Sequence, residues 1–277
     1  MLATAWGGAA LFLASLSYFA YFYLVQLGTP VPLAAAEAPR AILINTVLFS
    51  AFALHHSAFA RTGTKAWIAR RLPAGLERSL YVWVASLLFL TVCLLWQPLP
   101  GMAWQASGPL RWLLRALQLG GLVLTLKSAA RIDIWELAGV RQAASVPSMP
   151  MVTSGPTVPE EPKVPGVPTV PEVPSVPSVP SVAGVSVPAV APSAAEHAPL
   201  TISGPYRWLR HPIYLGWVMF VFAAPTMTSG RLLFATISTL YLIVAIPFEE
   251  RSLTSEFGPA YREYQRKVRW RLVPGVW

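Results

Sequence analysis

A single cysteine, Cys93, stands in 277 residues and lies inside an apolar run, which excludes disulfides and cysteine-based metal sites. Histidines number 4, at 55, 56, 197 and 211, and no His-Glu-x-x-His occurs, so nothing in their spacing supports a metal centre. Acids are scarce as well, 12 Asp and Glu against 21 Lys and Arg, and charged residues make up only 12% of the chain. A soluble domain is excluded on those figures. The formal net charge is +9. Because the arginines flank apolar segments and do not cover one folded face, that charge points to anionic lipid headgroups as partners and away from nucleic acid.

Apolar residues fill the space that charge leaves, at 55% of the chain. Residues 6–27, about 41–60, 79–96, 111–126, 212–224 and 231–248 read as six membrane spans, the last two forming a short hairpin. The first is taken as retained, since no basic region precedes it. In this arrangement 17 of the 21 basic residues fall on one side, which the positive-inside rule makes cytoplasmic, with both termini there. The fold class is an all-α polytopic bundle. Downstream, Phe257, Tyr261, Tyr264 and Val268 are spaced four, three and four, the stripe of a short helix lying at the membrane interface.

Between Val146 and Pro199 the composition changes. Prolines recur at every third position from Pro156 to Pro180, the period of polyproline II, a stretch that would extend about 75 Å. No core can form from it, so 146–199 reads as a disordered linker between a four-span part, 1–145, and a C-terminal hairpin with its tail, 200–277. A docking strip for a proline-reading partner is the other reading.

Two features carry chemistry. The stretch Ser203 to Trp217, S-G-P-Y-R-W-L-R-H-P-I-Y-L-G-W, feeds a basic, aromatic approach into an apolar helix that Pro212 forces to begin at a fixed place, with His211 as its cap. The helix start is expected to present free amides beside Arg207, Arg210 and His211, an anion-binding pole. Glu249 and Glu250 follow directly on the last span, where carboxylates are costly. A zwitterion would satisfy both ends, and Tyr206, Trp208 and Tyr214 would attract a cationic centre; S-adenosylmethionine has all three groups. An internal Arg/Glu network holding the hairpin is the structural alternative.

The pattern G-P-Y-x-x-x-R-H-P-x-Y-x-G, a further span, then E-E-R and F-G-x-x-Y-x-x-Y, resembles the C-terminal core of the membrane S-adenosylmethionine-dependent methyltransferases, isoprenylcysteine carboxyl methyltransferases among them. By that resemblance Gly204, Tyr206, Arg207, Arg210, His211, Pro212, Tyr214, Gly216, Glu249 and Glu250 line a cofactor site. In the N-terminal half H-H-S-A-F-A-R, L-E-R-S-L-Y-V, W-Q-P-L-P and W-E-L-A-G-V-R-Q are similar to bacterial methanethiol S-methyltransferases and, more loosely, to NnrU-type proteins. The chain departs from that pattern at His55, where glutamine is commoner, and in the proline-rich insertion. The resemblance implies an enzyme of the bacterial inner membrane that methylates a small thiol. A lipid-like carboxyl or amine acceptor and a non-catalytic scaffold are the alternatives. A thiol attacks as thiolate, so a base or positive group on the acceptor side is expected from His56, Arg61 or Arg141, with Glu77 and Gln142 behind them.

Overall fold

The computed structural model of the chain describes residues 2–60, 70, 76–131, 200 and 202–277. Arg61, Arg141, Gln142 and the proline-rich 146–199 stretch lie outside the described residues. The described residues before and after that stretch belong to one compact unit.

Among the described residues seven α-helices carry the fold: α1 Leu2–Tyr21, α2 Ala38–Ala60, α3 Leu76–Leu95, α4 Gly108–Ala129, α5 Pro212–Phe222, α6 Ser229–Phe257 and α7 Pro259–Lys267. The protein is a multi-pass, all-α membrane bundle. Among the described residues four stretches are long and apolar enough to cross a bilayer, Ala3–Gln26, Ala35–Phe59, Arg78–Leu95 and Ser229–Phe257. The other two expected spans differ in kind. Helix α4 has the length, 22 residues, but Arg111, Arg115, Gln118 and Lys127 dilute its apolarity. Helix α5 has the apolarity but only 11 residues, about 16 Å of rise.

Helix α6 is longer than its sequence suggests. Expected over 231–248 as half of a short hairpin, α6 runs 29 residues, about 43 Å. Pro247 sits inside it without ending it. Termination comes at Gly258, whose φ of +54° only glycine adopts cheaply, and Pro259 then starts α7.

The turns after α3 and after α5 pair with each other. Strands β1 Met102–Gln105 and β2 Thr226–Thr228 form an antiparallel ribbon, with Ala106 N–H donating to the Pro225 carbonyl at 2.8 Å. The ribbon joins the α3–α4 turn to the α5–α6 turn, which places both at one end of the bundle. At that end Thr228 caps α6 by accepting from Arg231 N–H at 3.2 Å. Arg231 itself is buried, and its guanidinium donates to the carbonyls of Tyr23, Leu24 and Thr226 at 2.6–3.0 Å. Tyr23 and Leu24 lie in a π-helical turn, Phe22–Gln26, that closes α1, where carbonyls lack intrahelical partners.

The core is aromatic, gathered around Phe234 with Phe19, Phe22, Tyr23, Phe49, Trp96 and Phe220. Helices α4 and α5 touch backbone to backbone at Gly121 and Gly216, where a Cβ on Gly216 would come within 2.4 Å of Thr125 Oγ1 and 2.6 Å of the Gly121 carbonyl. The tyrosine stripe of α7 faces the protein: Tyr261, Tyr264 and Val268 are buried against Leu200, Leu253 and Phe257.

Candidate functional site

Antiparallel packing brings the end of α2, the start of α3, the start of α5 and the last turns of α6 to the end of the bundle opposite the β ribbon. The chain after α7 returns to the same place. Arg210 N–H donates to the Trp270 carbonyl at 3.0 Å and His211 N–H to the Arg271 carbonyl at 2.9 Å, so residues 270–271 run beside 210–211. His211 has φ −125° and ψ 60°, outside helical geometry, and Pro212 opens α5 as its sequence dictates.

Glu250 is the buried centre of this end, 5% exposed. Its Oε1 accepts from Arg210 Nε at 2.6 Å and lies 3.3 Å from His211 Nε2; its Oε2 accepts from Arg271 Nε at 3.1 Å and Gln265 Nε2 at 3.5 Å. Arg210 spends its remaining reach on the Val268 and Arg269 carbonyls, at 2.8 and 3.0 Å. A carboxylate so surrounded is fully committed within the protein. The internal Arg/Glu network is therefore present, and it takes up Arg210 and Glu250.

Glu249 behaves differently. Its side chain is 40% exposed; Oε2 accepts from Tyr214 OH at 2.6 Å and lies 3.7 Å from His211 Nδ1. The His211 imidazole thus stands between two carboxylates, stacked on Tyr214 at 5.4 Å and 5°. Burial, helped by the Glu249 charge, pushes the Tyr206 phenol up to about 12, so it keeps its proton at physiological pH. The helix-start pole is less open than expected, since the Tyr214 and Leu215 amides donate to the His211 carbonyl at 3.1 and 3.2 Å.

At the same end the N-terminal half contributes a second polar cluster. Tyr81 OH and His56 Nδ1 are 2.8 Å apart, and Ser57 Oγ and Tyr241 OH 2.7 Å apart, the second pair tying α2 to α6. His56 continues the inward stripe of Asn45, Phe49 and Ala53 on α2, yet it is exposed where they are buried. His56 and the Glu249 side chain are both accessible at this end.

The remaining expected residues fall in other roles. Gly204 has φ +59° and abuts Arg131, so its place is a backbone requirement. Pro212 is buried at the start of α5, and Gly216 serves the α4–α5 crossing. Arg207 is exposed. Arg271, Gln265, Tyr81, Ser57 and Tyr241 were not picked out by sequence reasoning; Arg271 lies in a basic tail where nothing local distinguishes it. A cleft of about 360 Å³ lined by Tyr18, Phe22, Gln26, Leu27, Cys93, Leu94, Trp96 and Pro98 belongs to the ribbon end, away from these groups.

Comparison with known proteins bears on this end of the bundle. The model of the isoprenylcysteine carboxyl methyltransferase family matches residues 189–255. Methanethiol S-methyltransferase 2 of Bradyrhizobium diazoefficiens is 33% identical over 252 residues, covering 90% of this chain and 78% of that protein. The methanethiol S-methyltransferase of Mycobacterium tuberculosis is 33% identical over 240 residues, 84% of this chain and 79% of that protein. The protein-S-isoprenylcysteine O-methyltransferase of Dictyostelium discoideum is 29% identical over 80 residues, 28% of this chain and 33% of its own. No solved structure matches. With its RHP-bearing helix start, its paired glutamates and this breadth of similarity, the chain belongs to the membrane methyltransferase family that contains the methanethiol S-methyltransferases.

Proposed function

We propose that this enzyme transfers a methyl group from S-adenosylmethionine to a small thiol such as methanethiol, at the Glu249 end of the bundle and on the cytoplasmic side of a bacterial inner membrane. The observation that carries the reading is the division of labour between the adjacent glutamates. Glu250 is neutralised inside the protein, while Glu249 stays half-exposed beside Tyr214, Tyr206 and His211. A carboxylate open to a polar end, backed by an aromatic ring and a protonated phenol, fits a ligand carrying ammonium and sulfonium charge. S-adenosylmethionine supplies an electrophilic methyl group on such a sulfonium.

The protein's own part is alignment, exclusion of water and handling of one proton. Glu249 and Tyr206 hold the donor, with His211, Tyr214 and the backbone at Gly204 fixing their positions. His56, oriented by Tyr81, takes the proton of the attacking thiol, so that sulfur gains the methyl as it loses hydrogen. Arg61 and Arg141 are proposed to raise the thiolate fraction by their charge. The basic residues clustered at this end support a cytoplasmic orientation with both termini inside. The names of the relatives favour a thiol over a lipid-like acceptor and over a scaffold.

Labelled S-adenosylmethionine is expected to bind the detergent-solubilised protein, and Glu249→Ala and His211→Ala to abolish that binding. Cells making the wild type and fed methanethiol should release dimethyl sulfide to the headspace. A folded wild type that binds no S-adenosylmethionine would refute the reading.

A further inference from the structure

Directly beneath His56 the bundle is closed by a layer of rings. Phe52, one turn earlier on α2, lies 5.7 Å from the His56 ring and 5.1 Å from Phe89 on α3, centroid to centroid. Phe89 lies 5.3 Å from Phe19 on α1, and Phe19 stacks on Trp217 of α5 at 5.3 Å and 19°. Phe49, 5.9 Å from Phe52, carries the layer across to Tyr241 on α6 at 6.4 Å. Five helices each contribute at least one ring. Trp217 is further tied by Nε1 donating to Ser238 Oγ at 3.1 Å. On the His56 side stand Tyr81, Ser57 and the Tyr241 hydroxyl, while Phe19 and Phe49 of the layer are shared with the buried core around Phe234.

We propose that this aromatic floor is the size limit on the methyl acceptor, confining the enzyme to thiols with one or a few carbons. The inference rests on the thiol methylation proposed above and adds which residues set its substrate range. For a thiol whose sulfur lies within reach of His56 and whose alkyl group extends along the bundle axis into the protein, that group meets Phe52 and Phe89. Phe52 and Phe89 are only partly buried, as are Trp217 and Tyr241, whereas Phe19 and Phe49 are buried. Packed interiors accept no extra methylene groups without displacing side chains, so each added carbon is penalised. Removing a ring makes room: an apolar cavity of roughly 150 Å³ takes up benzene in another protein. Phe52→Ala or Phe89→Ala should therefore admit a longer alkyl chain where the wild type stops it.

The test compares methyl transfer to methanethiol, 1-butanethiol and 1-hexanethiol by the full-length protein in detergent, with S-adenosylmethionine binding measured alongside. Wild-type kcat/KM should fall about 100-fold from the shortest thiol to the longest. In Phe52→Ala, and in the milder Phe52→Leu and Phe89→Leu if the alanine variants fold poorly, the ratio of hexanethiol to methanethiol activity should rise at least about tenfold while cofactor binding persists. Equal losses on all three thiols, with the ratio unchanged, would make the rings ordinary core and overturn the proposal. So would a wild type that already turns over hexanethiol as well as methanethiol. A wild type that binds the cofactor but methylates no thiol would remove the thiol reading itself, and this inference with it.

Discussion

Adjacent glutamates at 249 and 250 do different work because a helix turns about 100° per residue, so neighbours cannot share an environment. Glu250 turns inward to Arg210, His211 and Arg271, whereas Glu249 stays half-exposed. Breaking a buried ion pair by removing one charge costs about 3–5 kcal/mol, since the partners stay buried and unmatched. Glu250→Gln should therefore lower the thermal midpoint of the solubilised protein sharply. Glu249→Gln should leave that midpoint within the effect of an ordinary surface change while weakening cofactor binding at least tenfold, as a melt and a binding isotherm on the same sample would show. At this scale the sequence was informative where a residue breaks a rule: two carboxylates at the end of a span and a proline at the start of another are conspicuous. Arg271, Tyr81 and Ser57 break none. Their importance comes from partners 21, 25 and 184 residues away, and no local pattern encodes that.

Among the elements, helices α1 to α3 lie close to their apolar runs, because run length and bilayer thickness set them alone. Helix α6 exceeded its run because a run ends where apolarity ends, whereas a helix ends where the backbone is stopped, here at Gly258. The β ribbon was invisible for another reason: each strand is three or four residues and means nothing without the other, 121 or more positions away. The α7 segment is expected to respond to alkaline pH. Burial holds the Tyr261 and Tyr264 phenols well above their usual range, and Tyr206, whose carbonyl accepts from Tyr264 OH at 2.8 Å, is pushed up to about 12. A phenol harder to ionise folded than unfolded stabilises the fold fully below pH 10 and progressively less as pH rises toward 12. Tryptic cleavage at Arg262, Arg266 and Lys267 should accelerate in that interval; in Tyr264→Phe the alkaline step should shrink. A cleavage rate flat from pH 9 to 12 would contradict the assignment.

For the molecule as a whole, the described residues of the two halves form one compact unit although a proline-rich stretch separates them in the chain. Helix α4 meets α5, and α2 meets α6, so each half supplies walls the other lacks. If the stretch acts only as a tether, removing residues 156–180 should leave dimethyl sulfide production within about twofold of the intact enzyme in the headspace assay. A large loss would assign it a part in the unit. The sequence already separated the halves by composition, but it could not state that they close on each other, since helix-to-helix pairing is decided by shape, as at Gly121 and Gly216.

The return of residues 268–271 beneath Arg210 and His211 has a bearing on synthesis. A ribosome inserts the helices one after another, and Glu250 leaves the exit tunnel without Arg271, its last counter-charge. Until some twenty further residues follow, that carboxylate has only part of its neutralising shell, so the nascent protein carries a half-made site in the membrane. Early termination anywhere between the two would leave that buried carboxylate without one of its two guanidinium partners.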